Sequence, residues 1–274
     1  LDAAAAAQLA EMNFGYDLDY EGKGEILQIT AQPHAGEREI TFDGKRKLIS
    51  AEHYKTFPSP YVITRHGALD HKVALTFDDG PDPVWTPQIL DVLAAAQVPA
   101  AFIIGANGEL YPELLRRIVR EGHEIGIHTF THPNIAVISD TQFQMELSAT
   151  QRLLASAVGR QSLLFRPPYA VDAEPETPDQ VRPIELASGL GYLTVGMQID
   201  PDDWQRRGVD EIVRRTLAAA QTGEGNVILL HDAGGDRSQT VAALPKLIAA
   251  LRQQGFEFVP VAQLAVQRGR HLDQ

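Results

Sequence analysis

The chain contains no cysteine. Disulfides and thiolate metal ligands are therefore excluded, and no redox compartment is identified. Basic residues are also scarce, 24 Lys and Arg against 36 Asp and Glu, for a formal net charge of −12. Such a field repels nucleic acid and anionic lipid, so neither is expected as the main partner, and a neutral or cationic polymer suits the chain better than an acidic one. No apolar run approaches the roughly 18 residues of a membrane-spanning helix. The opening stretch LDAAAAAQLAEM has no basic region, cleavable apolar core or initiator methionine. It reads as a cut inside a longer gene product rather than as a signal peptide. There is no internal repeat, and the only low-complexity feature is that short alanine run. What remains is a 274-residue chain, 44% hydrophobic and 22% charged, with the composition of a globular protein that has a sizeable core.

From about residue 71 short β-rich runs alternate with helical stretches. KVALTF, PAAFIIG, HEIGIHTF, SLLFRPPY, YLTVGMQID, NVILLHD and FEFVPV read as strands. Helices are expected over 86–97, 111–122, 139–159, 178–191, 209–223 and 239–255. Ser139 with Gln142 has the spacing of a capping box, and Gly122, Gly159, Gly223 and Gly255 stand where helices should stop. Seven apolar strands alternating with six helices predict an α/β fold with a parallel sheet buried on both faces, either doubly wound or closed into a barrel. Residues 1–70 do not join this rhythm. GEILQITAQ, REITFDG and PYVITRHG predict a small β-rich lead-in, or the tail of a preceding domain, ahead of a main domain over 71–265 and a tail over 266–274. Asp17, Asp19 and Glu21 in the lead-in read as a solvated turn rather than a cation loop.

In either α/β layout ligands bind at the carboxyl ends of the strands. Five of the seven strands deliver ionisable groups there: Asp78 and Asp79; His128 and His132; Arg166 with Tyr169; Asp200 and Asp203 with Trp204; and His231 with Asp232. Two imidazoles four residues apart with one carboxylate leave coordination positions open, the pattern of catalytic zinc and related metals. One of the adjacent aspartates then binds metal and the other serves as general base; the pattern alone does not divide them. His231, on a distant strand, suits a general acid. His123 precedes its strand and belongs at the opposite end. With His34, His53, His66, His71 and His271 it is read as a surface or packing residue.

TFDDGP (76–81), HTFTH (128–132), RPPY (166–169), DPDDW (200–204) and LLH (229–231) resemble the five ordered motifs of polysaccharide deacetylases, the NodB-homology domains of carbohydrate esterase family 4. The resemblance spans roughly residues 71–265 and implies a distorted (β/α)7 barrel with the β-rich extension before it. It implies Asp78 as base, Asp79, His128 and His132 as metal ligands, Arg166 orienting the base, and Asp203 supporting the base and acid. It implies the Tyr169 backbone N–H at the oxyanion, Trp204 and Leu229 along the sugar groove, and His231 as acid. The implied cofactor is a divalent metal, zinc first, with cobalt, nickel or manganese as alternatives. The implied reaction is attack of metal-bound water on the acetamide carbonyl of a neutral GlcNAc-containing glycan. An O-acetyl esterase acting on xylan, a small cyclic amide hydrolase and a silent glycan-binding module are the alternatives. Ile127 and Ala170 depart from the family's habit of a polar residue and a glycine at those positions. The lead-in is similar to stretches that precede this domain in proteins joining it to glycoside hydrolase-like or glycosyltransferase modules. That implies an extracytoplasmic setting or a place in a membrane-associated multidomain protein.

Overall fold

The computed structural model describes residues 3–11, 19–56, 58–173, 175 and 177–265. Leu1, Asp17, His271 and the tail expected over 266–274 lie outside the described residues. Two compact units are present, Leu1–Glu21 with Ile29–Thr64, and Gly22–Gln28 with Arg65–Gln274. Among the described residues no helix is long and apolar enough to cross a membrane.

The chain begins with α1 (Ala3–Glu11), β1 (Asp19–Gly22), β2 (Ile26–His34), β3 (Glu37–Phe42), β4 (Ile49–Thr56) and β5 (Ser59–His66). Within the first unit β3 and β4 form an antiparallel hairpin, held across its face by Arg38 and Glu52 (2.6 Å). The Gln8 amide of α1 exchanges hydrogen bonds with the Ile49 backbone, donating to its carbonyl (3.2 Å) and accepting from its N–H (2.8 Å). The three strands expected in the lead-in are β2, β3 and β5; β1 and β4 lack the apolar run that would have marked them.

The second unit contains β6 (Lys72–Asp78), α2 (Trp85–Ala96), β7 (Ala100–Ile104), α3 (Asn107–Leu110), α4 (Pro112–Arg120), β8 (Glu124–Ile127), α5 (Asp140–Val158) and β9 (Leu164–Phe165). It continues with α6 (Pro178–Gly189), β10 (Leu193–Val195), α7 (Val209–Thr222), β11 (Val227–His231), α8 (Ser238–Gln253), β12 (Glu257–Phe258) and α9 (Val261–Ala265). Strands β10, β9, β8, β7, β6 and β11 pair in that order, all parallel, and β12 pairs with β6. A bridge between Ile199, just past β10, and Ile228 of β11 closes the ring. This is the distorted (β/α)7-type barrel. Ile26 and Leu27 add antiparallel to β10. That pairing is why residues 22–28 group with the barrel, although the sequence placed them in the lead-in.

Side-chain alternation builds two apolar layers. Val73, Leu75 and Phe77 of β6, Phe102 and Ile104 of β7, and Ile228 and Leu230 of β11 pack outward with the helices. Ala74, Ala101, Ile103, Leu164, Val195 and Val227 fill the interior. Because the period is two, Thr76 and Asp78 share the inward face with Ala74, and Leu229 and His231 share it with Val227. The parallel register sets Leu229 against Thr76 and His231 against Asp78. Several strands are shorter than their apolar runs. The chain leaves them early because the loops beyond carry left-handed residues, Asp79 (φ 75), Thr129 (φ 60), His132 (φ 59) and Tyr169 (φ 61), which no strand accommodates. Of the expected stop signals, Gly159 (φ 67) and Gly223 (φ 72) cap α5 and α7, and the Ser139 hydroxyl accepts from Gln142 N–H (3.2 Å) at the start of α5.

Candidate active site

The carboxyl ends of the strands open into a cavity of about 440 Å³ lined by Asp78, Asp79, His128, His132, Tyr169 and His231, with Trp204, Leu229 and Arg237 among its other walls. Another cleft, beside His123 and Arg160, lies at the opposite end of the barrel. There His123 is a packing residue: its Nδ1 accepts from Ala100 N–H (3.2 Å) and its ring meets Phe102 edge-on.

Asp78 and Asp79 diverge at the end of β6. Asp78 keeps the strand's inward direction and is buried, and its Oδ1 accepts from Arg166 Nη1 (2.7 Å). Arg166 is itself fully buried. It also donates to Thr76 Oγ1 (2.8 Å) and to the carbonyls of Val195 (3.0 Å) and Gly196 (2.7 Å), so β6 and the end of β10 fix its guanidinium. Asp79 turns through a left-handed conformation that brings its half-buried carboxylate round toward the histidines, and Asn107 Nδ2 donates to its carbonyl (3.0 Å). Asp79 Oδ1 lies 3.7 Å from His128 Nε2 and 3.4 Å from His132 Nε2.

His128 is buried, which lowers its pKa, and its Nδ1–H donates to the Arg166 carbonyl (2.8 Å). With the proton on Nδ1, the Nε2 lone pair faces Asp79 Oδ1 and Asp78 Oδ2 (3.8 Å). A lone pair and two carboxylate oxygens in one desolvated corner repel one another unless a cation lies between them. Asp79, His128 and His132 are the group suited to it among the described residues, one ligand atom from each lying within 4.8 Å of the others. Two imidazoles and a carboxylate suit zinc and neighbouring divalent metals.

Across the cavity Asp203, buried, accepts from His231 Nδ1 (2.7 Å), His231 N–H (3.0 Å) and Thr240 Oγ1 (2.7 Å). Burial opposes the Asp203 charge, but these bonds and the His231 charge outweigh it and hold its carboxyl below the usual range. Burial likewise opposes charging His231. The bond to Asp203, and the carboxylates of Asp203, Asp78 and Asp79, overcome it and raise the imidazole to about 9. Asp203 thus serves His231, and makes no bond to Asp78.

Tyr169 is exposed and its ring lies edge-on to His132 (4.8 Å), while Trp204 is 51% exposed at the rim and Leu229 is buried in the wall. Ile127 packs in the core and does not line the cavity. Ala170 has φ 56, a left-handed conformation that glycine adopts without strain. Sequence reasoning missed Glu146. Its carboxylate accepts from Phe130 N–H (2.8 Å), Thr131 N–H (2.7 Å) and Thr131 Oγ1 (2.6 Å), shaping the loop that aims His132. A signal existed, because Glu146 interrupts the buried stripe Phe143, Leu147, Thr150 and Leu154 of α5. Glu25 has no such signal. It is buried and accepts from the N–H groups of Gln198 (2.5 Å), Asn226 and Val227 (2.7 Å), joining the segment after β10 to the start of β11.

Fold and site together define a barrel hydrolase with its chemistry at the carboxyl ends of the strands. The sequence profile of polysaccharide deacetylases matches residues 66–192. A peptidoglycan-N-acetylglucosamine deacetylase of Bacillus cereus is 39% identical over 212 residues, covering 76% of this chain and 94% of that protein. A chitooligosaccharide deacetylase of Sinorhizobium fredii is also 39% identical, covering 71% of this chain and 92% of its own length. A solved peptidoglycan N-acetylglucosamine deacetylase in complex with a naphthyl N-hydroxybenzamide superposes with a TM-score of 0.66 at 33% identity, covering 75% of this chain and 93% of that one. The chain belongs to the polysaccharide deacetylase family and is a hydrolase of that class.

Proposed function

We propose that the enzyme removes N-acetyl groups from a GlcNAc-containing glycan, with Asp79, His128 and His132 holding a divalent cation, zinc first. The observation that carries this reading is the in-register placement of Asp78 and His231 on adjacent strands, one clamped by Arg166 and the other by Asp203. When bound, a divalent cation makes water more acidic and polarises the acetamide carbonyl. Asp78, oriented by its bond to Arg166, takes the proton of the attacking water. His231, raised to about 9 and so protonated at neutral pH, gives its proton to the departing amine. The Tyr169 backbone N–H supports the oxyanion; Leu229 contacts the acetyl methyl and Trp204 stacks on the sugar. C–N cleavage yields acetate and a free amine on the sugar.

The test is acetate release from a chitooligosaccharide with zinc supplied and then removed by chelator. Release that stops on chelation and returns with zinc is expected. Release that persists in excess chelator would refute the metal assignment. Release from acetylxylan but not from the chitooligosaccharide would replace the amide by an ester, and no release with no metal bound would leave a glycan-binding module.

A further inference from the structure

One charged side chain in the cavity wall has no part in this scheme. Arg237, just ahead of α8, is only 5% exposed. Its Nε donates to the Ala233 carbonyl (2.6 Å) and its Nη2 to the Gly234 carbonyl (3.0 Å), both neutral acceptors of its own loop. Arg237 forms no ion pair among the described residues, and the adjacent carboxylate, Asp236, pairs with Arg206 instead (2.7 Å). Nη1 has no protein partner among the described residues, yet it is not enclosed by protein.

A guanidinium this buried, with no carboxylate at ion-pair distance among the described residues, is held at a cost that an anion arriving at its open Nη1 would offset. Its position says where the anion goes. A Cβ on Gly234 would lie 3.1 Å from Asp79 Oδ2 and 3.2 Å from Arg237 Nη2, so the guanidinium and the proposed metal-binding carboxylate both border Gly234. Gly234 (φ 78) is the residue that lets both groups approach this closely. Of the other ionisable groups lining the cavity, Asp78, Asp79 and Asp200 are acidic, and His231 is already bonded to Asp203. The planar guanidinium matches a carboxylate in shape and charge.

We propose that Arg237 is a carboxylate-binding point in this cavity, an inference that rests on the deacetylase reading. The carboxylate has two sources. One is the acetate that the reaction creates from a neutral amide in the same cavity. The other is an acidic substituent on the glycan, such as the lactyl carboxylate of muramic acid in peptidoglycan.

Acetate titration of the zinc-loaded protein, by calorimetry on wild type, Arg237→Gln and Arg237→Lys, separates the sources when combined with kcat/KM for a muramic acid-containing peptidoglycan fragment and for a chitooligosaccharide. Acetate affinity about tenfold weaker in Arg237→Gln, with the lysine variant between, assigns the site to the product. A fall of about tenfold in the peptidoglycan-to-chitooligosaccharide ratio, with acetate affinity unchanged, assigns it to the sugar's carboxylate. Wild-type values of both in variants that keep their zinc and melting temperature overturn the proposal. If the glutamine variant does not fold, the lysine variant decides: it keeps the charge but loses the planar fork, and wild-type behaviour there also overturns it. If wild type turns over neither glycan, the deacetylase reading fails, and the acetate titration still tests Arg237.

Discussion

Replacing Asp203 by asparagine isolates the electrostatic hold on His231. The imidazole is raised from 6.5 to about 9 although burial opposes its charge. At about 1.4 kcal/mol per pKa unit, that is about 3 kcal/mol of preference for the protonated ring. An asparagine oxygen can still accept from His231 N–H and Thr240 Oγ1. Its amide, however, presents N–H groups to His231 Nδ1, which suits only a neutral ring protonated on Nε2. Burial then pulls the imidazole down from its raised value, opposed only by the Asp78 and Asp79 carboxylates. Acetate release from a chitooligosaccharide should show the alkaline limb of kcat/KM moving toward acid by about 2 units or more, with activity near pH 8 falling roughly 100-fold. A bound divalent cation opposes the imidazolium in both proteins, so the displacement of the limb is the measure, rather than its position. A limb that stays in place while the rate falls uniformly would refute the electrostatic reasoning and leave Asp203 as a geometric support. Linkage adds a stability signature. The folded value of His231 lies above 6.5, so its contribution is complete below pH 6.5 and is lost as pH rises through about 9. Asp203, held below 3.8, contributes above that value and loses its contribution as pH falls through its folded value.

Three further expectations follow from other residues. Asp79→Asn should weaken zinc binding by more than the ~10–100-fold typical of an outer partner, whereas Asp78→Asn should keep zinc and lose turnover; zinc titration with rate measurement checks both, and wild-type turnover in Asp78→Asn would reverse the assignment. Glu146→Gln exchanges an anionic acceptor of three hydrogen bonds for a neutral amide, which should cost about 2 kcal/mol and lower zinc affinity through the His132 loop. Unchanged zinc affinity would mean that the loop is set by other contacts. Asp172 is fully buried, its two oxygens have no hydrogen-bond partner, and burial raises its carboxyl to about 7. The stability it contributes is complete below pH 3.8 and lost as pH rises through about 7, so Asp172→Asn should gain about 2–4 kcal/mol at pH 8 and almost nothing near pH 4. Melting temperatures that show the same gain at both pH values would contradict it.

Much of the fold and site was legible because it is written in local pattern. Apolar runs alternating with amphipathic segments mark the β/α rhythm, and the strand-end rule gathers Asp78, Asp79, His128, His132 and His231 without a three-dimensional structure. Glu146 was legible in principle, as a carboxylate in a buried stripe. Glu25 was not, because its three donors lie more than 170 residues away in the chain.

By itself the sequence determined the β/α alternation and the kinds of group at the strand ends, since side-chain period and turn chemistry are properties of a few consecutive residues; its pattern left open whether the sheet closes, and only the family resemblance implied a barrel. Only the tertiary structure decided what each group faces. The left-handed turn at Asp79 sends one carboxylate to the histidines and leaves its neighbour to Arg166. The Arg166 carbonyl selects the tautomer of His128, and Asp203 raises His231 from across the cavity. Asp236 pairs with Arg206, and Arg237 is left without an ion pair among the described residues. Each of these depends on which distant residues share a desolvated volume, and that follows from closing the ring of strands, not from any local stretch of the chain.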